Sequence, residues 1–224
     1  MNILLNPSIN YIGWGDRLDV LTLGQALYNT YGEPITYYKV NNRFRDFENM
    51  VSMFDHPAKL VMAPPLEPYF PHDAKGKEQI KFYEQYGEFP KIKVKDKSNI
   101  IKLPDKFVIS QFDARQRKRT LSEQEKLRIR KYYKELGYDM VVVGAEATDP
   151  LLGEAPSCNE NICYAMSKAD KYVGVDSGMM HLAKIIMPCE NIHVYKNDYD
   201  EEPFHSSFLT AVIKAGAKLN WSRQ

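Results

Sequence analysis

No apolar run is long enough to cross a bilayer, so no transmembrane segment is expected. The start, Met1 to Pro7, has neither a basic leader nor a long apolar stretch behind it, so no signal peptide is expected. Cysteine is scarce. Cys158, Cys163 and Cys189 are odd in number and lack zinc-ligand spacing, which argues against a disulfide framework and for free thiols in a reducing, cytoplasmic setting (the host cytoplasm for a viral protein). His56, His72, His193 and His205 are scattered, so no metal site is expected. Charge of one sign is lacking too: 30 Lys and Arg against 29 Asp and Glu leave +1, which gives no global case for nucleic acid. There is no internal repeat and no low-complexity tract.

What is present suits one large domain or two small ones. Of 224 residues, 44% are hydrophobic and 26% charged, enough apolar material for a packed core. Ile3-Leu4-Leu5 reads as a buried strand, and Gly13-Trp14-Gly15-Asp16 leads into a helix that Gly32 ends. Ile35 to Val40 and Leu60 to Ala63 read as further strands. Prolines punctuate residues 64–106, where Lys75 to Tyr86 suits one helix and Lys91 to Lys97 reads as a solvated linker or edge strand. A domain boundary is placed near residue 100, giving units 1–100 and 101–224. Beyond it, Phe107 to Ser110 is a strand, and Ser122-x-x-Glu125 is a capping box opening a helix that Gly137 stops. Met140 to Gly144 reads as a buried β-branched strand, Asn159 to Lys168 as a helix and Tyr172 to Val175 as a strand. A helix over Met179 to Met187, a last strand over Ile192 to Tyr195 and a helix over Phe208 to Ala215 follow. Strand–helix–strand units with short loops imply parallel sheets, whose ligands bind beyond the carboxyl ends of the strands.

The residues after each strand therefore carry the functional reading. Val175-Asp176-Ser177-Gly178 turns from a strand into a helix. Unpaired amides there favour an anion, Gly178 lets a phosphate come close, and the Ser177 hydroxyl adds a donor. Asp176 and Ser177 serve equally as plain helix caps. Ser110-Gln111-Phe112-Asp113-Ala114 leads into the basic run Arg115-Gln116-Arg117-Lys118-Arg119. Glu146 follows the strand ending at Gly144 and could accept from a ribose or base, or be an exposed loop acid. Asp16 either caps a helix or places a carboxylate where it can take a proton.

The stretch Asp176-Ser177-Gly178-Met179-Met180-His181-Leu182-Ala183 resembles the signature of glycosyltransferase family 9, the heptosyltransferase-like enzymes. Gly137-Tyr138-Asp139-Met140-Val141-Val142-Val143-Gly144 and the helix of Asn161 to Asp170 resemble the family's preceding elements, so the likeness spans about residues 107–197. It departs at Met179, where proline is usual, and the chain is shorter than typical members, chiefly in its N-terminal half.

The resemblance implies an α/β, GT-B-like fold of two Rossmann-like parallel-sheet domains, the first shortened. It implies an inverting glycosyltransferase that moves a sugar from a nucleotide-diphosphate sugar to an acceptor hydroxyl. Asp176, Ser177, Gly178, Met179 and His181 would line the donor pocket, Arg115 and Lys118 would face the diphosphate, and Asp16, after the loop glycines Gly13 and Gly15, would be the general base. No cofactor or metal is implied. The acceptor stays open between a glycan, a lipid-linked sugar and a hydroxylated DNA base of the phage type, for which the Arg115–Arg119 run leaves room. In GT-B proteins the tail, here beyond Lys196, folds back on the first domain. The rival readings are a nucleotide-binding regulatory module without transfer activity and a nucleotide-sugar epimerase or hydrolase.

Overall fold

A computed structural model describes residues 2–4, 14–39, 45–62, 89–95, 101–114, 119–153, 159–196 and 207–221. It separates into two compact units, Met1–Lys95 and Asp96–Gln224. In the first, β1 (Asn2–Leu4), β2 (Ile35–Lys39) and β3 (Ala58–Met62) form a parallel sheet in the order β1-β2-β3. Helices α1 (Trp14–Tyr31) and α2 (Arg45–Ser52) make the crossovers.

Helix α1 is buried on every side from Leu18 to Leu27, and Asp19, Thr22 and Gln25 are buried there with the apolar residues. Two of its polar residues are bonded within this packing: Thr22 donates to the Leu18 carbonyl at 2.7 Å, and Gln25 Oε1 lies 2.7 Å from His56 Nδ1. His56 Nε2 lies 3.0 Å from the Tyr37 hydroxyl. Because Gln25 Oε1 only accepts, Nδ1 carries the imidazole proton and Nε2 accepts from Tyr37. Gly24 makes the close packing possible, since a Cβ there would stand 1.9 Å from the Tyr37 hydroxyl oxygen.

Of the lysine-rich stretch, residues 91–95 are described, and they join neither sheet but make one isolated bridge. Phe54 and Val94 form an antiparallel bridge, Lys95 N donates to Met53 O at 2.8 Å, and Ile92 and Val94 are buried while Lys91, Lys93 and Lys95 are exposed. Helix α2 was not expected. Its Phe47, Met50 and Val51 are buried at helical spacing.

In the second unit, β4 (Phe107–Gln111), β5 (Asp139–Val142), β6 (Lys171–Gly174), β7 (Ile192–Lys196) and β8 (Lys218–Trp221) form a parallel sheet in the order β5-β4-β6-β7-β8. Helices α3 (Glu123–Glu135), α4 (Asn159–Lys168), α5 (Gly178–Ile186) and α6 (Ser207–Lys214) connect them. The α/β class expected from the sequence is the class found, with a parallel sheet in each unit.

The chain steps from β4 to β5 on one side, then returns past β4 to β6. Right-handed crossovers put α3 on one face and the later helices on the other. On the α3 face, Val108, Phe112, Leu121, Val173 and Val175 meet Ile129 and Tyr133. The capping box forms as expected, with Ser122 N donating to Glu125 Oε2 at 2.6 Å and Glu125 N to Ser122 Oγ at 3.4 Å.

Two expectations change. The strand at residues 139–142 is an edge strand with half-exposed side chains, because the crossover leaves it a single neighbour. The final residues do not end at a strand over 192–195. Lys218–Trp221 adds β8 beside β7 in the second unit, where the tail had been expected on the first domain.

His193 on β7 pairs its Nδ1 with the Tyr133 hydroxyl of α3. Burial pushes the pKa of both His56 and His193 down to about 4, with Lys218 and Lys171 adding to the effect at His193. An unfolded chain protonates each imidazole near pH 6.5 and the folded chain only near pH 4. The unfolded state therefore binds more protons in that window, and stability falls as pH drops through it. Urea denaturation at pH 7 and pH 4.5 should show a loss on the order of 2 kcal/mol per histidine, smaller in His193→Gln. A wild-type midpoint unchanged between the two would contradict the buried neutral pairs.

Candidate functional site

The reversal of strand order between β4 and β6 is a topological switch point, where the loops after neighbouring strands diverge and leave a crevice. Strand β6 ends in Gly174 and turns through Val175, Asp176 and Ser177 into α5. Ser177 is the N-cap: its backbone is extended, and its hydroxyl accepts from Met179 N at 3.3 Å. Met180 N and His181 N both reach Ser177 O, at 3.1 and 3.4 Å. Among the described residues, this leaves the amides of Ser177 and Gly178 without a bonded acceptor at the head of the helix.

Strand β4 supplies the other wall. Gln111 O accepts from Val175 N at 3.1 Å, and Gln111 Oε1 accepts from the Ser177 hydroxyl at 2.6 Å. The two strands are so close that a Cβ on Gly174 would lie 2.4 Å from Gln111 O and 2.5 Å from the Tyr172 hydroxyl. That hydroxyl curls under the turn, donating to Val175 O at 3.0 Å and lying 3.3 Å from Ser177 Oγ. Burial raises the Tyr172 pKa, so the phenol stays protonated.

A cation completes the turn. Arg119 Nη1 lies 3.3 Å from Asp176 Oδ2 and donates to Asp176 O, also at 3.3 Å. Asp176 is buried and Arg119 about a quarter exposed. The loop that carries Arg119 is closed at its neck: Leu121 N donates to Phe112 O at 3.0 Å and Ala114 N to Thr120 Oγ1 at 3.1 Å. Arg115 and Lys118, the cations chosen from sequence, fall outside the described residues. Arg119 belonged to the same basic run, and its neighbour Thr120, which pins the loop, was the signal that could have singled it out.

Met179 and His181 are buried in the first turn of α5, and His181 Nδ1 lies 3.4 Å from Nζ of the buried Lys184. Glu146 follows β5 and pairs with Lys126 and, at 3.7 Å, with Arg130, both on α3. Burial works against the Lys126 ammonium, yet its bonds to Glu123 and Glu146 outweigh this and raise its pKa. Gly144, with φ +88°, turns the chain between β5 and Glu146; a Cβ there would sit 3.0 Å from Gln111 Nε2.

In the first unit, Gly13 lies outside the described residues. Gly15 and Asp16 are not in a loop but inside the first turn of α1, which starts at Trp14. Among the described residues no group of three His, Cys, Asp or Glu could hold a metal ion, and no helix is long and apolar enough to cross a membrane.

No family model matches the sequence, and no curated protein resembles it closely enough in sequence to count as a match. Solved structures do. The iron-containing dodecameric glycosyltransferase TibC of enterotoxigenic E. coli H10407 superposes with a TM-score of 0.50 at 11% identity, over 87% of this chain and 57% of that one. The likeness is one of fold. A family 9 glycosyl transferase from Veillonella parvula DSM 2008 gives a TM-score of 0.49 at 11% identity, over 98% of this chain and 85% of that one. The chain thus spans a little over half the length of TibC.

The contact at Gly174 is open to a direct test. Gly174→Ala forces its methyl group against the Gln111 carbonyl and the Tyr172 hydroxyl, so it should cost about 2 kcal/mol or more in urea denaturation. A variant as stable as wild type would show that β4 and β6 do not approach this closely.

Proposed function

We propose that this chain is an inverting glycosyltransferase that takes a nucleotide-diphosphate sugar as donor. The observation that carries the reading is the turn at the switch point: two amides at the head of α5 with a cation, Arg119, anchored on Asp176 beside them. Such a turn is built for a diphosphate. As the glycosidic bond breaks, its electron pair passes to the leaving diphosphate, whose negative charge rises. Fixed donors and a fixed cation then bind the transition state better than the ground state. The resemblance in sequence and the shared fold support the same reading.

In this proposal Ser177, Gly178 and Arg119 hold the diphosphate, with Arg115 and Lys118 as further cations. Asp176 orients the Arg119 guanidinium, Met179 and His181 line the pocket, and Glu146 accepts from the ribose. Asp16 of the first unit takes the acceptor hydroxyl proton, the oxygen attacks the anomeric carbon from the side opposite the diphosphate, and the configuration inverts. The acceptor is a glycan, a lipid-linked sugar or a hydroxylated nucleic-acid base, and the reaction is cytoplasmic. No cofactor or metal takes part in these steps. A second reading, a nucleotide-binding module without transfer, is favoured by the short first unit, whose described residues hold a three-stranded sheet.

A thermal-shift screen of nucleoside diphosphates and nucleotide sugars tests the donor site. A bound ligand at a hundred times its Kd adds about 2.7 kcal/mol of stability. Arg119→Ala should weaken diphosphate binding by about tenfold or more. Asp16→Asn should leave binding intact and lower transfer by about a hundredfold or more. No shift with any nucleotide would sink the reading, and binding without turnover in wild type would favour the second one.

A further inference from the structure

We propose that Gln111 is a positioning residue that sets the hydrogen-bond polarity of Ser177, and so decides whether the α5 turn can offer a hydroxyl proton to a phosphate oxygen. The inference rests on the donor-site reading above. It comes from counting protons in the cluster beneath the turn.

Two hydroxyls, Tyr172 and Ser177, bring two protons. The phenol proton goes to Val175 O at 3.0 Å, and the Ser177 proton goes to Gln111 Oε1 at 2.6 Å. Ser177 Oγ in turn accepts from Met179 N. In this state the serine hydroxyl presents only lone pairs outward. A phosphate oxygen also has only lone pairs, so the two repel.

The carboxamide of Gln111 resolves the conflict because it carries an acceptor and a donor on one planar group. A turn of about 180° about its last torsion exchanges Oε1 and Nε2. Nε2 then donates to Ser177 Oγ, and the serine proton is released toward the ligand. No bond is made or broken and no proton changes owner. On one side no side chain obstructs the turn: Nε2 faces Gly144, where a Cβ would press on it at 3.0 Å. The left-handed backbone of Gly144, at φ +88°, keeps that position free of a Cβ.

The test is a double-mutant cycle on the full chain, read by calorimetric titration with ADP, GDP, CDP and UDP and with the four matching nucleosides. Gln111→Glu replaces the carboxamide with a group that, when ionised, only accepts, so it holds the serine proton inward. Nucleoside diphosphate binding should fall about tenfold or more, and nucleoside binding by less than about twofold. In a Ser177→Ala background the same substitution should add less than about threefold, whereas simple charge repulsion would weaken binding equally in both backgrounds. Gln111→Leu neither accepts nor donates, so it should keep diphosphate affinity within about threefold of wild type. It also serves if the glutamate variant fails to fold.

Equal losses of Gln111→Glu in the two backgrounds overturn the assignment. So does a loss shared by nucleosides, or a tenfold loss in Gln111→Leu. A wild-type chain that binds none of the eight compounds overturns the donor-site reading itself, and this inference with it.

Discussion

Strands β4 and β6 lie side by side although β5 comes between them in the chain, and at Gly174 their backbones approach more closely than any side chain would permit. Much of the second unit depends on that contact. It reverses the direction of the crossovers, so α3 covers one face while α4, α5 and α6 are directed to the other. It also brings the end of β4 against the β6–α5 turn, which is why Gln111 can reach Ser177 at all. A wider spacing would leave the Ser177 hydroxyl without its partner across the sheet, Gln111 Oε1.

Both units use the same device to fix a helix on its sheet, a neutral histidine bonded to a tyrosine. In the first unit the chain runs from Gln25 on α1 through His56 to Tyr37 on β2, and in the second from Tyr133 on α3 to His193 on β7. Apolar packing is indifferent to small slips along a helix, whereas a buried hydrogen bond holds over only a few tenths of an ångström. These pairs therefore set register more than they add stability. Their cost is acid sensitivity, since each imidazole must stay uncharged in a medium that disfavours charge.

What could be read from the sequence divides along the same physical line. Local signals were legible. Asn159–Lys168 forms the helix expected of it, the Ser122–Glu125 box closes on both sides, and the strand expected over Phe107–Ser110 forms and runs one residue further, to Gln111. Long-range signals were not. Nothing within Met140–Val143 says whether it has one neighbour or two, so a β-branched run that reads as central stands at an edge. Lys218–Trp221 is four residues long and needs β7 to become a strand, and α2 spans barely two turns amid charged residues. The site shows the same split. The Asp176-Ser177-Gly178 turn was visible as a motif, whereas Gln111 and Arg119 matter only because the fold brings them to it.

The basic run illustrates why position within a loop outweighs charge count. Five successive residues offer four cations, and composition cannot rank them. The neck of the loop can. Thr120 bonds to both the amide and the carbonyl of Ala114, and Leu121 N to Phe112 O, so the residue just inside the neck has its backbone held from two sides. That residue is Arg119, and Asp176 then fixes its guanidinium by charge and through its main-chain carbonyl. A cation held in place before a ligand arrives loses less freedom on binding than one that must be gathered from solvent. It also needs no reorganisation when charge develops on a leaving group. In the proposed donor site the ion pair with Asp176 is chiefly an aiming device, consistent with the small worth of a partly exposed salt bridge to stability.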